Sequence, residues 1–297
     1  MKKRTFISLI ALVATAIVLS ACNPVAKTSV LELQASSLPA LENGAHYEGW
    51  AIVDGKPLST GKFNIKNGSI VSLAGNMVKQ FKLDFDISAA SKIVITIEPK
   101  GDTDSKPAAT HILAGSVVNA ESSLTISDPA ALGNDFTTAA GKYILATPTT
   151  KTKTDENSGI WFLDIDKNGP KVGLRLPTLP AGWVYEGWTV INGMPVSSGK
   201  FTKVDAIDDS AIYSNPANSG PPFPGEAYVL NAPKGLSFPT NIAGGKAVIS
   251  IEPEMDDSPK PFALKPLVGD IPANATDHKP YAMGQNLNFP TISAVIK

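Results

Sequence analysis

Three groups of side chains in this sequence have types and spacing that could support chemistry. The first is Asp164-x-Asp166-x-Asn168-Gly169, which matches the opening of a calcium loop, where carboxylates at alternate positions converge on the ion. The twelfth position of such a loop should be a bidentate Glu, but here it is Arg175, and the flanking segments are typical of strands. A plain hairpin turn is therefore favoured, with a calcium site as the alternative.

The second group is acidic. Glu98 and Glu252 each end an apolar run, and each is followed by two aspartates, so paired carboxylates for acid–base chemistry are one interpretation. The other is that each Glu closes a strand by accepting backbone N–H groups or faces water. Because a catalytic pair is rarely kept in both copies of a repeat, the duplication favours the structural interpretation.

The third group is the histidines, His46, His111 and His278. They do not recur at matching positions and do not have metal-ligand spacings. The sequence also lacks a Gly-x-Ser-x-Gly elbow and a phosphate-binding Gly-Lys-Ser/Thr loop. We therefore predict no catalytic residue, no metal and no cofactor, and a protein that is not an enzyme.

The elements that must position these residues occur twice. The segment 47–63, YEGWAIVDGKPLSTGKF, returns 138 residues later as 185–201, YEGWTVINGMPVSSGKF. Each copy has an Asx-Gly pair between two apolar runs, which favours a β-hairpin because both central residues of a type I′ turn need φ > 0. A second motif, 92–99, returns at 246–253 and is predicted to be a buried strand.

The same reasoning gives the fold class. Alternation of apolar and polar residues, as in 81–87, is typical of half-buried strands, and helical periodicity is missing outside the N-terminus. We predict an all-β chain of two tandem β-sandwich modules, 30–166 and 167–297, with an immunoglobulin-like topology as one option. If the late strand at 141–148 pairs with the first strand of the second module, the modules form a rigid pair.

The N-terminus has the pattern of an export signal. A basic start (Lys2, Lys3, Arg4) precedes a mostly apolar run, and Leu19-Ser20-Ala21-Cys22 resembles a bacterial lipobox, in which the cysteine becomes the lipid-modified first residue. We predict a lipoprotein signal peptide at 1–21 and a lipid anchor with a short tether at 22–29. A transmembrane helix is disfavoured because the apolar run is shorter than about 20 residues.

These features also predict the location and the partners. Lipidated Cys22 would attach the protein to the membrane on the extracytoplasmic side, at the outer membrane in a Gram-negative cell. Cys22 is the only cysteine, so no disulfide forms within the chain. The net charge of −1 and the lack of a basic run argue against nucleic acid as a partner.

Several aromatic residues are candidates either for the core or for a binding surface. Trp50 and Trp188 lie in the repeated strands and are predicted to pack in the core. The unduplicated Trp183, Tyr213 and Phe223, with the Pro/Gly/Asn-rich loop 214–225, form the candidate binding surface. The alternative is that the neighbouring module covers Phe223.

The repeated pattern resembles the extracytoplasmic C-terminal domain of the anti-sigma-K factor family. It consists of Trp50, Gly55-x-Pro57-x-Ser59-x-Gly61-x-Phe63, Ile95-Thr96-Ile97-Glu98-Pro99 and Pro107, and it recurs in the second copy. The resemblance implies an outer sensing or interaction module without catalytic residues. Family members also have a cytoplasmic sigma-binding domain and a transmembrane helix, and neither is recognised in this sequence.

The expected function is therefore a lipid-anchored cell-envelope protein that acts as a non-catalytic binding, sensing or interaction module. Its partner would be a protein or a glycan. The alternatives are an envelope hydrolase that uses Glu98 or Glu252, and a structural spacer.

Overall fold

The computed structural model describes residues 27–297. The predicted signal peptide, Cys22 and the start of the tether lie outside the described residues. Within 27–297 the chain is all-β, as predicted, and its one helical segment is the short 3₁₀ turn Glu156–Ser158. Among these residues there is no helix with the length and apolar character needed to cross a membrane.

The strands are numbered along the chain. Those of the first repeat are β1 (Ser29–Ser36), β2 (His46–Val53), β3 (Lys56–Lys66), β4 (Ser69–Val71), β5 (Phe81–Leu83), β6 (Lys92–Glu98), β7 (His111–Ser116), β8 (Glu121–Leu124) and β9 (Ala140–Leu145). The remaining strands are β10 (Gly159–Trp161), β11 (Leu163–Asp166), β12 (Gly169–Val172), β13 (Leu174–Arg175), β14 (Trp183–Ile191), β15 (Met194–Phe201), β16 (Gly225–Ala227), β17 (Lys246–Pro253), β18 (Leu267–Asp270), β19 (Tyr281–Gln285) and β20 (Thr291–Ile296).

The hydrogen-bonded sheets follow the repeat. In the first repeat a five-stranded sheet of order β4-β3-β2-β6-β7 accompanies a four-stranded sheet of order β5-β1-β20-β8. In the second, β15-β14-β17-β18 continues through β19 and β9 to β10 and β16 in one larger sheet. The arrangement is compatible with the predicted β-sandwich modules, because each sheet buries one apolar face.

The two predicted hairpins are confirmed with identical registers. Tyr47 lies opposite Phe63, and Tyr185 lies opposite Phe201. The turn residues have positive φ in both copies, as a type I′ turn requires: Asp54 (50°), Gly55 (74°), Asn192 (51°) and Gly193 (81°).

Each hairpin also contains a bulge at the same place. In the first copy Gly49 pairs with Gly61 and Trp50 pairs with Ser59, which leaves Thr60 as the extra residue of the bulge. Its side chain leaves no room opposite, since a Cβ on Gly49 would lie 2.4 Å from Thr60 Oγ1. Ser198 and Gly187 repeat this relationship at 2.3 Å. The glycine of the Tyr-Glu-Gly-Trp motif is therefore required by the bulge.

One strand of each repeat pairs in the sheet of the other: β20 lies in the sheet of the first repeat, and β9 lies in the sheet of the second. β1 is antiparallel to β20, with Ser36 opposite Thr291. β13 is antiparallel to β9, with Leu174 opposite Gly141. Ser36 and Leu174 are separated by the same 138 residues as the two Tyr-Glu-Gly-Trp motifs, so the two pairings are equivalent. The pairing of the late strand near 141 with the second module is confirmed. The reciprocal pairing, of the C-terminal strand β20 with β1 and β8, is a further finding of the structure.

This exchange joins the halves through backbone hydrogen bonds. One apolar core contains Tyr47 and Ile95 of the first repeat together with Tyr185 and Ile249 of the second. The sheet pairing crosses the proposed boundary between residues 166 and 167 in both directions, and that boundary remains a prediction. The strand predicted over 81–87 is shorter in the structure, since β5 ends at Leu83. Beyond it, the Ser29 hydroxyl donates to the Asp86 carboxylate and accepts the backbone N–H of Ile87.

Candidate functional site

The Tyr-Glu-Gly-Trp motif has structural duties at each position. Tyr47 and Tyr185 are buried, and their hydroxyls donate to the carbonyl oxygens of Pro39 at 3.0 Å and Pro177 at 2.7 Å. Trp50 and Trp188 are each 1% exposed, so the prediction that they pack in the core is confirmed. The motif therefore maintains the fold and does not present a ligand surface.

Glu98 and Glu252 are buried at the ends of β6 and β17. Each carboxylate accepts a backbone N–H, from Ala108 at 3.0 Å and from Phe262 at 2.8 Å. Each also accepts a hydroxyl hydrogen bond from the residue two positions earlier, Thr96 or Ser250. This geometry is the structural interpretation made from the sequence, since both carboxylates are tied to the backbone of a neighbouring loop.

The Asp164–Gly169 segment forms the favoured hairpin, in which β11 pairs with β12. Its carboxylates are paired with lysines. Lys142 lies 2.9 Å from Asp164, and Lys171 lies 2.7 Å from Asp166 and 3.6 Å from Asp164. These ammonium groups neutralise the oxygens that a calcium ion would need.

The three unduplicated aromatic residues do not form an exposed surface. Trp183 is 3% exposed and packs against Phe262, with ring centroids 6.5 Å apart. Tyr213 is half-buried against Tyr228 and Phe238. These rings pack against other aromatic side chains of the protein and do not form the exposed binding surface that was predicted.

Phe223 is also buried, at 9% exposure. It packs in a small separate cluster with Trp161 and Ile144. Ile144 belongs to β9, the strand that the first repeat donates to the second sheet. Phe223 is therefore covered by the neighbouring module, which is the alternative raised from the sequence.

A cleft of about 720 Å³ lies between the two repeats. Its walls follow the ends of β6 and β17 (97–100 and 253–258) and include the loops that precede β2 and β14 (39–43 and 181–182). Equivalent segments of the two copies thus face one another. Met255 lies on this cleft and is 91% exposed. A methionine that is exposed to this extent beside an apolar cleft is available for contact with another molecule.

Two buried acids of the second repeat, Glu186 and Glu252, have raised pKa values. Burial raises the pKa of Glu252 to about 7, and the charge of Glu186 adds to the effect. Burial also raises the pKa of Glu186 to about 7. Burial lowers the pKa of Lys265, which Glu252 partly opposes. The second repeat therefore contains carboxyl groups that change charge near neutral pH.

A second constellation lies in the first repeat. His46 and Glu48 are on one face of β2, and Asp102 arrives from the loop after β6. One potential ligand atom from each of the three lies within 4.8 Å of the others. Lys62 Nζ is 2.9 Å from Asp102 Oδ2 and 3.4 Å from Glu48 Oε2. The hydrogen bond from Lys62 holds the pKa of Asp102 below its usual value.

Sequence spacing did not reveal this constellation. His46 and Asp102 are far apart along the chain, and they meet only because β2 pairs with β6. A signal existed in the repeat itself. At the offset of 138 residues the position of His46 is Val184, whereas Glu48 and Lys62 are repeated as Glu186 and Lys200.

The comparison with protein families supports the resemblance over the first repeat. Residues 11–113 match the family described as anti-sigma-K factor rskA, C-terminal. The match covers about a third of the chain and includes the first hairpin and β6. The fold is all-β, and residues 11–113 are similar to an anti-sigma-factor domain. Neither the curated proteins nor the solved structures contain a match.

Proposed function

We propose that this protein is a lipid-anchored binding or sensing module of the bacterial cell envelope, and that the cleft between its repeats is the ligand site. The observation that carries the proposal is the cleft of about 720 Å³, which both repeats line and Met255 flanks. Ligand sites are typically concave, mostly apolar and found between structural units. The similarity of residues 11–113 to an anti-sigma-factor domain supports a sensing role.

The second repeat is proposed to be a second copy of the same domain. Its hairpin has the register and bulge of the first, and β17 pairs with β14 as β6 pairs with β2. A ligand in the cleft would contact both copies at once. A ligand that narrows or widens the cleft would then displace strands of both sheets, because each sheet contains a strand of the other repeat.

The ligand is proposed to be a protein segment. The cleft is lined largely by prolyl and aliphatic side chains, and charged residues such as Lys100 and Asp257 are also part of its lining. Met255 adds a flexible apolar contact of the kind used at adaptable protein surfaces. Trp50, Trp183 and Trp188, which could otherwise stack on a sugar ring, are buried.

The proposed role is non-catalytic. Glu98 and Glu252 would have to be free to serve the alternative hydrolase, but each accepts a backbone N–H in addition to a hydroxyl. Replacing both with Gln tests this alternative. A hydrolytic activity that disappears from a variant of unchanged thermal stability would favour the hydrolase.

The cleft is tested with matched methionine variants. A photo-reactive amino acid at position 255 is expected to capture a protein partner in intact cells, whereas the same group at exposed position 77 is not, because Met77 lies outside the cleft. Met255→Asp should weaken binding of that partner and Met77→Asp should not. Equal capture at the two positions would argue against a cleft site.

The anchor is tested separately. Metabolic labelling with an alkyne fatty acid should label the wild-type protein and not Cys22→Ala. Fractionation should then place the wild type with membranes. A labelled Cys22→Ala protein would contradict the proposed lipidation.

A further inference from the structure

We propose that His46, Glu48 and Asp102 form a site for a divalent transition-metal ion of the zinc class in the first repeat. One potential ligand atom from each of these side chains lies within 4.8 Å of the other two. Zinc binds imidazole nitrogen and carboxylate oxygen at about 2.0–2.2 Å, so the three ligand atoms would have to move closer together to coordinate an ion.

Buried atoms without partners are the second observation. His46 is 4% exposed and Glu48 is 2% exposed. His46 Nε2 is buried without a hydrogen-bond partner. Glu48 Oε2 is buried without a hydrogen bond and has an ion pair with Lys62 Nζ at 3.4 Å. Buried polar atoms are nearly always satisfied, and orphaned ones call for an explanation such as an ion. A metal bound to both side chains would give the imidazole nitrogen a partner and would take the place of Lys62 at the Glu48 carboxylate.

The second repeat forms the same strand pairing with a valine in place of the histidine. It keeps Glu186, Lys200 and Asp256 at the equivalent positions but has Val184 in place of His46. Val184 pairs with Glu252 in the sheet as His46 pairs with Glu98. The same strand pairing thus forms with an apolar residue at this point, and the imidazole is what distinguishes the first repeat.

The donor set selects the ion. An imidazole with two carboxylates suits zinc, cobalt, nickel and manganese, whereas calcium and magnesium prefer oxygen ligands alone. Lys62 competes for the same oxygens, since its ammonium contacts both carboxylates. Its side chain is 28% exposed and Asp102 lies in a partly exposed loop, so an ion can enter from solvent as the ammonium swings out.

The test uses the full-length protein in detergent, stripped with a chelator and titrated with ZnCl₂ by calorimetry. We expect one equivalent to bind, with calcium chloride giving no heat. His46→Val, which copies the second repeat, should lower the zinc affinity at least tenfold, while His278→Val on an exposed histidine should leave it unchanged. Lys62→Met should raise the affinity because the competing cation is removed.

Cobalt provides a readout that does not depend on stability. The wild-type complex should show visible absorption bands that His46→Val lacks. Val184→His should add a second equivalent, since it completes the same donor set in the second repeat. Zinc affinity or cobalt spectra unchanged in a folded His46→Val variant would overturn the proposal, as would the absence of binding by the wild type.

Discussion

The indole Nε1 of Trp188 donates a hydrogen bond to the hydroxyl oxygen of Ser250 at 2.8 Å. Ser250 in turn donates to the Glu252 carboxylate, which also accepts the backbone N–H of Phe262. The first repeat contains the same chain of contacts, with 2.9 Å between the indole nitrogen and the hydroxyl oxygen, made by Trp50, Thr96, Glu98 and Ala108. The network links three segments in each repeat, and its duplication marks it as part of the fold.

Removing the central hydroxyl should destabilise the protein. Ser250→Ala leaves the indole N–H without its acceptor and the carboxylate without one donor, at a cost of about 1–3 kcal/mol in the free energy of unfolding. Thr96→Val should have a similar cost in the first repeat. Urea denaturation measures both, with Ser123→Ala on the exposed face of β8 as the control. A loss in the control as large as in Ser250→Ala would contradict this account.

A disruptive substitution in the C-terminal strand β20 should destabilise the N-terminal strand β1, with which it pairs. Ile292 is buried and lies opposite Ala35 of β1, so Ile292→Asp places a charge in the core of the first repeat at a cost of about 3–5 kcal/mol. Amide exchange in β1 should accelerate. Ser293→Asp, one residue along on the exposed face, is the matched control and should leave protection of β1 intact.

The two repeats should tumble together, because they share hydrogen-bonded sheets. NMR relaxation should give one tumbling time for both halves, and two distinct times would refute the rigid pair.

Stability should decrease as pH rises through neutrality. Glu252 has a pKa of about 7 in the folded protein because of burial, against about 4.3 in an unfolded chain. The folded state therefore holds the proton longer, and stability falls between about pH 4.5 and 7 and stays lower above it. Glu252→Gln should remove on the order of 3–4 kcal/mol of this dependence.

Denaturation at pH 5 and pH 8 measures the effect, and Glu186→Gln should act in the same direction because its pKa is also raised to about 7. Aspartates with lowered pKa values change charge only below about pH 4, outside this window, and they include Asp86, Asp102, Asp135, Asp164 and Asp166. A wild-type protein that is more stable at pH 8 than at pH 5 would contradict the expectation.

The 214–225 loop should contribute to stability, because Phe223 in this loop packs in a buried cluster. Phe223 fills a small cluster with Trp161, and a Cβ on Gly220 would lie 2.0 Å from the Trp161 ring. Phe223→Ala should therefore cost about 3–5 kcal/mol in thermal or urea unfolding, whereas exposed Pro222→Ala should have little effect. Replacing the loop with Gly-Ser is then expected to change stability, so a phenotype of that swap would not by itself demonstrate partner binding.

Much of the local structure follows from the sequence because its causes are local. The Asp54-Gly55 and Asn192-Gly193 turns adopt the positive φ values that their residue types allow. Sequence-based prediction was less accurate for Trp183 and Phe223. Both were unduplicated aromatics, which made them candidates for a surface, yet each is covered by a segment that only the folded chain brings near.

By itself the sequence determined the repeat, the all-β class, the two hairpins and the structural character of Glu98 and Glu252, since turn preferences, side-chain alternation and duplication are all properties of the linear chain. Only the tertiary structure decided which strand edges meet. Every strand offers the same backbone donors and acceptors, so the residue pattern does not predict which strands pair. It did not predict that β20 pairs with β1 of the first repeat, as β9 pairs with β13 of the second. The inter-repeat cleft and the meeting of His46 with Asp102 are consequences of that pairing and could emerge only with it.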